Sequence, residues 1–215
     1  MGRTLMSNEL VAYLNSINEN TDLLFKEIEQ QAAEEFIPIV SKDVANYLYL
    51  TVKIQKPEKV LEIGTASGYS TIHIARALPE KGKITGIELS EKRIIMARKN
   101  FAKAGFADEI EILQADIREE VFNLNGIYDF IFLDACKAQY AKLFTELQKN
   151  MKSGSIFIAD NVLLNGWIID KKYPIRRRKT MVERMDAFLK FVLNEPSYDS
   201  SLLPVGDGLL IVRKK

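Results

Sequence analysis

Five short runs rich in β-branched and other apolar residues, KVLEIG, KITGIEL, EIEILQA, YDFIFLD and SGSIFIAD, recur between Pro57 and Asp160, separated by segments of helical pattern. A strand that is apolar on both sides must be covered on both sides, and a parallel sheet joined by helical crossovers does this. The alternation therefore predicts a doubly wound α/β fold. Ahead of it, Leu10, Val11, Leu14 and Ile17, then Leu24, Phe25 and Ile28, recur at helical spacing and predict two or three helices over residues 1–56. Behind it, a helix is predicted from about Arg177 to Leu193. In the closing SSLLPVGDGLLIV, the triplet Gly206-Asp207-Gly208 predicts the turn of an antiparallel hairpin at or near a sheet edge. A chain of 215 residues, 47% of them hydrophobic, suffices for one such domain with a full core, residues 57–215 forming the α/β part.

Charge and apolar runs exclude some functions. With 30 Lys and Arg against 29 Asp and Glu, net charge gives no reason to expect nucleic-acid binding, which would need a local patch. Such a patch exists: DKKYPIRRRKT gathers Lys171, Lys172, Arg176, Arg177, Arg178 and Lys179. No apolar run reaches the roughly 18 residues of a membrane span, and the first ten residues lack the core of a secretion signal, which predicts a cytoplasmic protein. Cys136 is the single cysteine, so the chain has neither an internal disulfide nor a thiolate metal cluster.

The chemistry is carried by the strand ends. After KVLEIG comes GTASGYST, opening a helix from about Tyr69 to Leu78. Glycines 64 and 68 allow a sharp turn and close approach to a ligand, and the helix start presents free amide donors, so a nucleotide-like ligand fits. The spacing lacks the G-x-G-x-x-G of a dinucleotide fingerprint, which weighs against NAD. Glu88 ends the second run, where doubly wound folds place an acid for ribose hydroxyls, and Asp116 follows the third. Asp134 ends the fourth, and Asp160 with Asn161 ends the fifth. Two carboxylates and an amide at neighbouring strand ends can converge on one hard cation such as Mg²⁺. Lys137, three residues after Asp134, then has a use. A cation there lowers the pKa of a bound hydroxyl, and a nearby amine can receive the proton.

VLEIGTASGYST resembles the first motif of class I S-adenosylmethionine-dependent methyltransferases, with Glu62, Gly64 and Gly68 as its cofactor-site positions and Glu88 as the ribose acid. The D-A-x-K and D-N pattern narrows the resemblance to metal-dependent O-methyltransferases of the catechol and caffeoyl-CoA type. It implies a seven-stranded Rossmann-like sheet and Mg²⁺, or another hard divalent cation, on Asp134, Asp160 and Asn161. It also implies a catalytic Lys137, with Asp134 facing both cofactor and metal. Ser70 would meet the methionyl carboxylate, Val40 would touch the cofactor through its backbone, and Ala115 with Asp116 would flank adenine. A homodimer is implied too. Ala135 and Cys136 replace the His-Trp pair of the catechol enzymes, so the aromatic wall for a catechol ring is missing. DNVL, the arginine-rich segment and PVGDGL together resemble the bacterial tRNA 5-hydroxyuridine methyltransferases. This implies tRNA as partner, held by Arg176, Arg177, Arg178 and Lys179 with Trp167 and Tyr173 available for base stacking. Two other readings stay open: a small catechol-like or CoA-linked phenolic acceptor, and a cofactor-binding protein without catalysis.

Overall fold

The computed structural model describes residues 8–18, 22–170 and 176–215. Three helices, α1 (Asn8–Ile17), α2 (Leu23–Glu34) and α3 (Lys42–Gln55), precede β1 (Lys59–Ile63) and α4 (Tyr69–Ala77). The alternation continues through β2 (Lys83–Glu88), α5 (Glu91–Ala104), β3 (Ile110–Gln114), the short α6 (Ile117–Glu120) and β4 (Tyr128–Leu133). Then come α7 (Tyr140–Leu147), β5 (Met151–Ala159), the single turn α8 (Trp167–Asp170), α9 (Arg176–Asn194), β6 (Tyr198–Leu203) and β7 (Leu209–Lys214). The strands form one seven-stranded sheet in the order β3-β2-β1-β4-β5-β7-β6. The first five are parallel, β7 runs antiparallel to β5, and β6 closes the edge as the hairpin partner of β7.

Each strand feeds two cores by alternation. Leu61, Ile63, Ile131, Leu133 and Phe157 point to the face covered by α7 and α9, where Tyr140, Leu143, Phe144, Phe188 and Val192 are buried. Val60, Phe130, Phe132, Ile156 and Ile158 point to the other face, under Val44 and Leu48 of α3, Ile72 of α4 and Phe101 of α5. The parallel ladder runs one residue past the strands: Gly64 donates to the Ile87 carbonyl at 2.9 Å, Asp134 to that of Ile63 at 2.9 Å, and Asp160 to that of Leu133 at 3.1 Å. The residues after β1, β4 and β5 are thus fixed side by side at the carboxyl edge of the sheet, next to the glycine turn between β1 and α4.

Candidate active site

Above that edge lies a cleft of about 660 Å³ whose walls include Gly64, Glu88, Ala115, Asp116, Asp134, Lys137 and Asn161. Its floor depends on glycine. Gly64 has φ +101°, and a Cβ there would stand 2.8 Å from the Asp134 carbonyl oxygen. Gly68, at φ +86°, lies deeper, where a Cβ would be 2.4 Å from the Phe101 ring. Glu88 presents its carboxylate at the rim, oriented by three backbone donors: Ala66 N–H at 3.0 Å on Oε2, and Leu89 at 3.0 Å and Ser90 at 2.9 Å on Oε1. Asp116 caps α6 through the Arg118 N–H at 2.9 Å and is gripped by the Arg118 guanidinium, which holds its carboxyl at about 2, below the ordinary range.

The structure does not bring every expected residue to the cleft wall. The Glu62 carboxylate is fully buried under the glycine loop and accepts from Ser70 Oγ at 2.5 Å and from Thr71 Oγ1. Burial pushes Glu62 up to about 7 against the pull of those two hydroxyls. Ser70 is consequently turned towards the sheet. Val40 lines a smaller neighbouring cavity of about 280 Å³, which meets the cleft at Ile39 and Asn161. Arg178 and Lys179 are exposed on the first turns of α9, Arg178 stacked 4.4 Å over the Trp167 ring. Arg176 and Arg177 start that helix. Lys171, Lys172 and Tyr173 lie outside the described residues.

Adjacent strand ends deliver the two aspartates, since Leu133 of β4 pairs with Ala159 of β5. Asp160 is 1% exposed, and its Oδ1 accepts from the Asn161 N–H at 2.7 Å. Lys137 opens a 3-10 turn, donates from Nζ to Asn161 Oδ1 and sits 3.9 Å from Asp134 Oδ1. Burial pushes both Asp134 and Asp160 above the ordinary carboxylate range, and for Asp160 the negative charge of Asp134 adds to the effect. A buried carboxylate, a half-buried one and an amide oxygen suit a hard divalent cation: the donors are all oxygen, and the like charges are costly without one. Among the described residues no group of three or more His, Cys, Asp and Glu side chains forms an alternative metal centre.

Sequence reading missed several contributors. Tyr140, inside the DFIFLDACKAQY segment, is buried and donates towards the carbonyls of Leu133, at 3.3 Å, and Asp160, at 3.1 Å, tying the two strand ends together. Ala66, Cys136, Asn161, Leu164 and Asn165 all have positive φ, between 47° and 58°, a concentration of strained backbone around the two cavities. The alternation of an α/β sequence carries no signal for either feature. The single histidine, His73, packs on the α2 side of α4, stacked on Phe25 at 3.9 Å.

The chain matches the O-methyltransferase family model over residues 15–215. It belongs to that family. It is 31% identical over 200 residues to tapetum-specific methyltransferase 1 of Arabidopsis thaliana, covering 89% of this chain and 86% of that protein. Caffeoyl-CoA O-methyltransferase 1 of the same plant is 29% identical over 226 residues, covering 98% and 86%. Among solved structures, the O-methyltransferase from Bacillus cereus in complex with SAH superposes with a TM-score of 0.84 at 28% identity, over 96% of this chain and 97% of that one. The O-methyltransferase is thus an enzyme of S-adenosylmethionine-dependent methyl transfer to oxygen. No helix among the described residues is long and apolar enough to cross a membrane.

Proposed function

We propose that this O-methyltransferase methylates the C5 hydroxyl of 5-hydroxyuridine at the tRNA wobble position, giving 5-methoxyuridine, with Mg²⁺ or another hard divalent cation held by Asp134, Asp160 and Asn161. A cation there supplies Lewis acidity that lowers the pKa of a hydroxyl chelated together with a vicinal oxygen. The C5 hydroxyl and C4 carbonyl of the base are such a pair. Lys137, whose Nζ reaches both Asn161 and Asp134, is positioned to take the hydroxyl proton. Glu88 holds ribose hydroxyls at the far end of the cleft, and the rigid strand ends keep the reacting atoms in line.

One observation carries the choice of acceptor. Among the described residues, neither cavity is lined by an aromatic side chain, while α9 sets exposed Arg178 and Lys179 within one turn of Met181, itself a wall residue of the cleft. Without an aromatic wall, the protein holds an isolated phenol ring poorly. A base in an RNA loop arrives with its own stacking neighbours, and its phosphates meet the cations. The similarity to a caffeoyl-CoA O-methyltransferase favours a second reading, a CoA-linked or catechol-like phenol.

The test incubates the protein with methyl-labelled S-adenosylmethionine and tRNA containing 5-hydroxyuridine, catechol or caffeoyl-CoA, each with Mg²⁺ or EDTA. Label is expected in the tRNA, and only with the metal. Label confined to the phenols would establish the second reading, and label in no acceptor would refute both.

A further inference from the structure

The smaller cavity, about 280 Å³, shares Ile39 and Asn161 with the cofactor cleft, and Asn161 is the residue whose Oδ1 accepts from Lys137, so a ring entering the cavity lies beside the edge where the two aspartates emerge. Its volume is near the lower end for ligand sites and suits one flat ring. Val11 and Leu14 of α1, with Ile39 and Val40, give it an apolar side. The opposite side is more polar than a phenol needs. Most of these groups are already satisfied: Asp207 accepts the Asn165 N–H at 2.7 and 2.8 Å, Asp43 accepts from Gly206 at 3.1 Å, and Asn18 accepts from Asn46 at 3.0 Å. Asn161 is engaged by Lys137. The side-chain amides of Asn15 and Asn165 line the same cavity and have no hydrogen-bond partner among the described residues.

A phenol with both oxygens at the acid pair has only C–H groups left on its ring, and would leave the amides of the exposed Asn15 and the half-buried Asn165 unused. A 5-hydroxypyrimidine-2,4-dione differs. With its C5 hydroxyl and C4 carbonyl at the acid pair, it still carries an N3–H donor and a C2 carbonyl acceptor, which lose water on entering the cavity. One carboxamide offers an acceptor and a donor in a single plane, the complement of that imide edge. Asn165 is well placed for this: the Asp207 carboxylate pins its backbone N–H, and its φ of +57° is a conformation asparagine tolerates. We propose that Asn165, assisted by Asn15 from α1, reads the N3–H and C2 carbonyl of the acceptor base and so selects a hydroxypyrimidine over a phenol. This inference rests on the tRNA reading above.

The test uses synthetic anticodon stem-loops carrying 5-hydroxyuridine or its N3-methyl derivative, with the wild-type protein, Asn165→Gly and Asn15→Ala. Glycine accepts the positive φ, and SAH titration reports whether each variant is folded. For the wild type, kcat/KM is expected to fall at least about tenfold on N3-methylation, the effect of one unpaired buried hydrogen-bonding group. In Asn165→Gly that ratio is expected to approach one, with activity on 5-hydroxyuridine lowered to a similar extent, and in Asn15→Ala to fall part of the way. A ratio unchanged in Asn165→Gly, or near one already in the wild type, overturns the inference while methylated 5-hydroxyuridine stem-loop leaves the proposed function standing. A wild-type protein inert on the 5-hydroxyuridine stem-loop refutes the proposed function itself, and the inference with it.

Discussion

Acid should loosen the α2–α4 contact through one imidazole. His73 is 8% exposed, stacked on Phe25 of α2 at 3.9 Å with 18° between the rings and edge-on to Tyr69 at 4.9 Å, and its Nε2 has no partner among the described residues. Burial, aided by the Arg76 charge, lowers its pKa from 6.5 to about 4, while Asp22 opposes the shift. The unfolded chain therefore takes up a proton below pH 6.5 that the folded chain refuses until about pH 4, and stability is lost as pH falls through that window. For these two values the loss relative to pH 8 comes to about 0.8 kcal/mol at pH 6 and about 2 kcal/mol at pH 5. His73→Phe keeps a flat ring against Phe25 and cannot charge. Urea unfolding of both proteins without metal or cofactor, followed by circular dichroism at pH 8, 6 and 5, isolates the effect, because the acidic groups of the site titrate alike in both and cancel in the difference. The variant should gain about 2 kcal/mol on the wild type between pH 8 and pH 5, a shift of about 4–8 °C in Tm for a domain of this size. A difference that stays constant across the range would refute a neutral buried imidazole.

Glu62 should behave in the opposite sense. Its pKa is raised from 4.5 to about 7, so its burial costs stability as pH rises through that interval, and Glu62→Gln should gain on the wild type by up to about 3 kcal/mol from pH 4.5 to pH 8; parallel curves would show that the carboxyl ionises freely. Gly64→Ala forces a Cβ to 2.8 Å from the Asp134 carbonyl at φ +101° and should cost about 1–3 kcal/mol of stability and weaken SAH binding in a calorimetric titration; unaltered affinity would mean the loop does not cradle the cofactor. Lys137→Ala should lower kcat by about 10²–10⁴-fold with SAH affinity retained, and full activity would remove the lysine from proton transfer. Leu50 and Ile54 of α3 are 57% and 73% exposed, and if they build the proposed homodimer, Ile54→Lys should sediment as a monomer; an unchanged dimer would place the contact elsewhere.

The acidic edge was legible because a parallel sheet sends all its strand ends the same way. Once YDFIFLD and SGSIFIAD read as neighbouring strands, Asp134 and Asp160 had to emerge together, and the register of Leu133 with Ala159 carries that out. Glu62 shows where this logic needs one more step. It lies one residue before the last position of β1, so alternation sends it to the face shared with Val60, under α4, where Ser70 and Thr71 meet it; Ile63 turns to the opposite face and Gly64 takes the end. A glutamate two residues before the glycine is thus directed beneath the loop by strand period alone, where its carboxylate accepts from the hydroxyls of Ser70 and Thr71 at the start of α4. The second cavity was not legible at all. It is assembled from α1, the Ile39–Val40 segment, the positive-φ turn at Asn165 and the hairpin at Asp207, pieces separated by most of the chain. No spacing rule links them, and the hydrogen bond from the Asn165 N–H to Asp207 exists only because β7 returns antiparallel beside β5. The residues proposed for the chemistry therefore sit on the parallel strand ends, where sequence pattern alone finds them. The proposed reading of the acceptor rests on the late, antiparallel and N-terminal additions, where local pattern is weakest.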